Sequence, residues 1–233
     1  MPNGDTYHIG AVLNDKSFQR KGIKNLKKAL GELSEFSQKA DFILGHNIID
    51  HDLPIANAAF PETAFLKLPV IDTLFLSPLA FPENPYHKLI KDYKLVRNSK
   101  NNPIADAKLA LAVFYDQMDA FNVMVQTDPG LVDFFAFAFE HSGNESLKFN
   151  GIFKFFYALS SNIPDQTRAK KIFTKLSQGK VCSKGLDGIW NEFCGHGAKR
   201  SVLAYVLSWI MVSGGNSIIP HGSGMSLLRF HKL

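Results

Sequence analysis

The sequence predicts an α/β protein in two parts, an amino-terminal part where strands and helices alternate and a carboxy-terminal part that is mostly helical. Three observations carry this. A β-prone run beginning at Tyr7 meets a turn cluster and returns; the stretch from 24 to 116 alternates strand-like apolar runs with helical spacing; and after residue 117 β-prone runs give way to phenylalanine-rich helical sequence. With 233 residues, of which 45% are hydrophobic, the chain can bury the core of one domain plus a smaller unit.

Each element can be read in order. Tyr7 to Leu13 is a short strand, closed by Asn14-Asp15-Lys16-Ser17, and Phe18-Gln19-Arg20 returns as its partner, which is a hairpin signature. Between Lys24 and Lys39 the residues Leu26, Leu30, Leu33 and Phe36 fall three and four apart, so an amphipathic helix follows. Asp41 to Gly45 reads as a buried strand that delivers the chain to Gly45-His46-Asn47 and on to His51-Asp52-Leu53-Pro54. Pro69 to Leu74 is a further strand, expected to run into a loop containing Pro78, Pro82 and Pro85, with a helix starting near Tyr86. Pro103 suits the first turn of a helix reaching about Asp119, with Ala107, Leu111 and Phe114 on one face. Residues 117–178 read as all-helical, and phenylalanines such as Phe134, Phe135, Phe137, Phe139, Phe153, Phe155 and Phe156 suit a core or a docking surface.

Charge is unevenly placed. Residues 1–116 carry 14 Lys/Arg against 13 Asp/Glu, residues 117–233 carry 12 against 8, and the stretch from Arg168 to Arg200 alone carries 8 against 2. That basic stretch suits a polyanionic partner, because each neutralised phosphate releases a counterion; it equally suits a solvated helix face. Two cysteines, Cys182 and Cys194, cannot build a disulfide framework, and there is no apolar signal-peptide core at the start, so a cytoplasmic location is expected. The longest apolar runs fall short of the roughly 20 residues of a bilayer span, so no membrane role is expected. Cys182, Cys194 and His196 lack the close cysteine pair of a zinc ribbon. No Gly-x-x-x-x-Gly-Lys-[Ser/Thr] phosphate loop is present, which excludes ATP hydrolysis by that route.

The chemistry lies in the acids. Metal-dependent phosphodiester hydrolysis needs carboxylates converging on divalent ions, because hard cations such as Mg²⁺ take oxygen ligands. Asp52, after a strand, and Asp106, in the first turns of a helix, are the candidates. On the residues alone the same positions also suit a turn aspartate and a charge on a helix dipole. Gly45-His46-Asn47 followed by His51-Asp52-Leu53-Pro54, then Asp72-Thr73-Leu74 and Ala105-Asp106-Ala107, resemble in order and spacing the motifs of the DEDDh (DnaQ-like) 3′-to-5′ exonuclease family, from about residue 7 to 116.

The resemblance implies a ribonuclease-H-like mixed sheet with flanking helices over residues 1–118 and a two-metal site for Mg²⁺ or Mn²⁺. It implies that Asp52 and Asp106 are catalytic metal ligands and that His46, Asn47 and Asn101 lie near the terminal nucleotide. Two departures stand out. The Asp-x-Glu of the family's first motif would precede residue 1, so the central strand is missing and the chain is expected to begin part way into a longer gene product. The general-base histidine, five residues before the last acid, is here Asn101, and an amide cannot take a proton near neutral pH as imidazole can. His87 is the other histidine to consider, and whether the chain is an active enzyme is left open.

Residues 119–233, with Val181 to Leu186, Trp190 and the run from Ala204 through Gly214-Gly215, look like the helical segment joining an exonuclease to the helicase core in some bacterial RecQ-type DNA helicases. By that resemblance the partner is nucleic acid, DNA rather than RNA, with a downstream helicase core and a role in DNA repair. Three functions stay in view: an exonuclease region, incomplete in this chain; a nucleic-acid-binding module that keeps the fold without cleaving; and an interaction domain docking through its phenylalanines.

Overall fold

A computed structural model describes residues 7–84, 102–140, 146–181, 183–194 and 200–212. The hairpin forms as expected. Strand β1 (Tyr7–Leu13) pairs antiparallel with β2 (Lys16–Ile23), the chain reversing at Asn14, whose left-handed φ of 52° an asparagine tolerates. Helix α1 (Leu26–Phe36) starts where the Asn25 side chain accepts from the Lys28 N–H, and it turns Ala29 and Leu30 inward. An ion pair of 2.6 Å between Arg20 and Glu32 ties β2 to α1 at the surface.

The second sheet is also small. Strand β3 (Ile43–Gly45) pairs parallel with β4 (Val70–Asp72), and between them lie α2 (Asp52–Ala59) and a 3-10 turn at Ala64–Lys67. The expected single mixed sheet is therefore replaced by two separate two-stranded sheets, because among the described residues no hydrogen-bond ladder joins β1 to β3. The architecture is mixed α/β, with helix predominating.

The expected loop after β4 is instead helix α3 (Thr73–Ala80). The Asp72 carboxylate accepts from the Leu74 N–H and so caps it, and Phe75, Leu76, Leu79 and Ala80 are all buried, the condition under which an apolar helix is stable. Pro78 sits inside this helix and removes only one of its N–H donors. The helix expected near Tyr86 lies outside the described residues.

Helix α4 (Pro103–Thr127) opens with Asn102 as its cap and Pro103 in its first turn, as expected, but runs well past Asp119. The boundary expected at residue 118 thus falls inside a helix. α4 packs on β1, β2 and β3, so one helix bridges both sheets. Its start lies so close to β1 that a Cβ on Gly10 would stand 2.7 Å from the Ile104 nitrogen, a reason for glycine there.

The rest is helical: α5 (Pro129–Glu140), α6 (Ser146–Leu159), α7 (Gln166–Ser177), α8 (Ser183–Cys194) and α9 (Arg200–Val212). Every residue of α5 from 131 to 139 is buried, with α4, α6 and α7 packed around it. Aromatic rings knit these helices together, Phe121 meeting Phe156 at 5.2 Å, Phe135 meeting Phe156 at 5.3 Å and Phe134 meeting Phe193 at 5.5 Å. Phe134, Phe135, Phe137, Phe139, Phe155 and Phe156 are therefore core, which corrects the idea that they dock a partner. The buried cluster is continuous from Leu30 through β4 and α3 to Ile210 of α9. No helix among the described residues is long and apolar enough to cross a membrane.

Candidate functional site

The loop between β3 and α2 is fixed from below by the end of β4. Asp72 is fully buried, and its carboxylate accepts hydrogen bonds from the backbone N–H groups of Asn47 (2.8 Å), Ile49 (3.1 Å) and Leu74 (2.9 Å). One side chain thus caps α3 and pins the loop of residues 45–49. Burial pushes the Asp72 carboxyl up to about 6, against the pull of those three N–H groups, with the nearby Asp50 adding to the rise.

Asn47 takes a left-handed φ of 61°, and its carbonyl accepts from the His51 N–H at 3.1 Å, so the loop folds back to start α2. The residue after Asp72, Thr73, is buried and donates its hydroxyl to the Gly45 carbonyl at 3.3 Å while lying 2.9 Å from His46 Nδ1. A hydroxyl whose proton is spent on a carbonyl offers its lone pair to the ring, which assigns the proton to Nδ1. Burial lowers the His46 pKa to about 4, so this ring is neutral near pH 7.

The same network reaches α4. Gln117, fully buried, donates through Nε2 to the Thr73 carbonyl and to Ser77 Oγ, both at 2.8 Å. Residues 72 and 73 therefore join the loop that precedes Asp52 to the helix that carries Asp106. Asp52 opens α2 and is exposed, with His51 Nδ1 3.6 Å from its carboxylate. Asp106 is half-buried in the first turn of α4, its N–H donated to the Asn102 carbonyl at 3.1 Å. One follows the loop after β3, and the other stands on the helix packed against β3.

The predicted site residues thus divide. Asp106 is in the first turn of a helix, as expected, and Asp52, expected in the loop after β3, is the first residue of α2; His46 and Asn47 are engaged in holding their own loop; Asn101 and His87 lie outside the described residues, as do Cys182 and His196. Carboxylates are the hard oxygen donors that Mg²⁺ or Mn²⁺ takes. A two-ion centre needs more of them than Asp52 and Asp106, and among the described residues no group of three or more His, Cys, Asp or Glu is arranged to hold a metal. In the sequence reading Asp72 has no role beyond its place in the Asp72-Thr73-Leu74 motif, and Gln117 has none. An Asp-Thr pair between a strand and an apolar helix is an N-cap signal, and a lone glutamine in an apolar helical stretch signals a buried amide, so both could have been found.

Comparison with known proteins returns no match: no family model, no curated protein and no solved structure matches this chain.

Proposed function

We propose that this chain is a nucleic-acid-binding domain of the DEDDh exonuclease type, in which Asp52 and Asp106 present carboxylates to a divalent cation beside the bound strand. The observation that carries the reading is the buried network of Asp72, Thr73 and Gln117, which fixes the Asp52 loop and the Asp106 helix against each other. The element order, a hairpin, a helix, a parallel strand pair and a late helix across both sheets, supports the same reading. So does the basic balance of the carboxy-terminal half. Asn101 in the position of the general base favours binding without scission, because an amide does not take a proton near neutral pH.

The test uses a fluorescein-labelled oligonucleotide in Mn²⁺ and in EDTA. Mn²⁺ should tighten binding, and both Asp52→Asn and Asp106→Asn should remove that increment. An increment that survives in both variants overturns the reading. Release of 3′ nucleotides from the same samples reports scission, and its absence in Mn²⁺ is the expected result.

A further inference from the structure

The outer face of α7 carries a groove that the Asp52 and Asp106 reading does not use. Gln166, Thr167, Lys170, Lys171, Thr174 and Lys175 line it and are all exposed, and buried Trp190 of α8 forms part of its wall. Helical geometry makes this face regular. Ala169, Phe173 and Ser177 turn into the core; going round the helix from that stripe, Lys170 borders it, Thr174 and Thr167 follow as a row, and Lys171 and Lys175 stand opposite it.

Among the described residues no carboxylate lies within ion-pairing distance of Lys170, Lys171 or Lys175. The acid nearest in sequence, Asp165, is committed to capping α7 through the Arg168 N–H at 2.7 Å, and Arg168 itself turns to the buried Asp133 at 3.4 Å. Lys180, by contrast, is spent on the carbonyls of Ile210 and Met211 at the end of α9. Lys170 is held over the Trp190 ring at 5.9 Å, which orders its ammonium at the groove edge without neutralising it.

We infer that this lysine face of α7 binds the phosphodiester backbone of a nucleic-acid strand. Three ammonium groups supply the charge, and the threonine hydroxyls and glutamine amides between them supply neutral donors of the kind that contact phosphate and sugar oxygens without reading bases. An anionic membrane fits less well. A helix that lies on lipid places large apolar side chains beside its lysines, and none of the exposed large hydrophobic residues falls on α7. The inference rests on the nucleic-acid part of the proposed function and is independent of any metal at Asp52 and Asp106.

The test measures binding of a fluorescein-labelled oligothymidylate in EDTA, across a salt series, by the intact chain and by a Lys170→Gln/Lys171→Gln/Lys175→Gln variant. Glutamine keeps helix propensity, and an unchanged melting temperature verifies the fold. The variant should bind about tenfold more weakly or worse, and its log–log salt slope should fall by about 2, at ~0.7 for each phosphate no longer neutralised. Unchanged affinity and slope overturn the inference while leaving the Mn²⁺ increment, and with it the metal reading, to stand or fall separately. Equally tight, lysine-dependent binding to phosphatidylserine vesicles or to polyglutamate overturns it too, since the face would then be a general anion surface.

Discussion

Asp72 carries more of the local structure than any other side chain near the candidate site. Replacing it with alanine strands three N–H donors at once, those of Asn47, Ile49 and Leu74, and buried donors left without acceptors cost roughly 1–3 kcal/mol each. Asp72→Ala should therefore lose about 3 kcal/mol or more in denaturant unfolding, with Asp72→Asn losing less because it keeps one acceptor oxygen. The pH dependence has two opposed parts. Asp72, raised from 3.8 to about 6 in the folded state, holds a proton there that the unfolded chain has released, so its contribution is present at low pH and is lost as pH rises through about 6. That loss is of the order of 2–3 kcal/mol. His46, lowered from 6.5 to about 4, does the reverse, its contribution being present above 6.5 and lost as pH falls toward 4. Between pH 4 and 6 the two largely offset each other. Unfolding of His46→Gln should show stability falling as pH rises across that window, and Asp72→Asn should show it falling as pH drops. At this scale the sequence made Asp52 and Asp106 legible, since a loop aspartate and a helix-start aspartate follow from local pattern. The residue types of the buried partners were legible, as a cap signal at Asp72 and a lone glutamine at 117, but their pairing was not, because hydrogen bonds spanning 23 to 44 residues have no local signature.

Among the elements, α6 lies close against β4 at Gly151. A Cβ on Gly151 would overlap the Val70 backbone, which cannot give way as a flexible side chain could. Gly188 on α8 has open space around the same position. Gly151→Ala should therefore destabilise by about 1–3 kcal/mol or more, whereas Gly188→Ala should stabilise by roughly 0.5–1 kcal/mol through helix propensity, both read from thermal melts. Equal effects would show that this packing is not set as described. The hairpin, α1, β3 and the start of α4 were legible from turn residues, periodicity and capping, all local signals. Helix α3 was not, because Pro78 within it and Pro82 and Pro85 after it argue for a loop, and its stability comes from the Asp72 cap and from burial of nearly all its residues. Nor was the end of α4, where Phe121 packs against Phe155 and Phe156 of α6.

At the scale of the whole molecule, one buried cluster links the two sheets' neighbourhood to the last helix, with α6 on β4 and α9 on α3. A chain ended at residue 118 would leave β4 and α3 uncovered. Such a fragment should show no cooperative melting, while the full chain should unfold in a single transition. The placement of Asp52 and Asp106 depends on this integrity, since the network that sets them runs from the β3 loop through α3 to α4. Mn²⁺ binding followed by electron paramagnetic resonance, in a double-mutant cycle of Asp52→Asn and Asp106→Asn, tests their joint placement most directly. One site lost in either single variant, with the double variant no worse, is the expected result. Mn²⁺ binding unchanged in both single variants would contradict it.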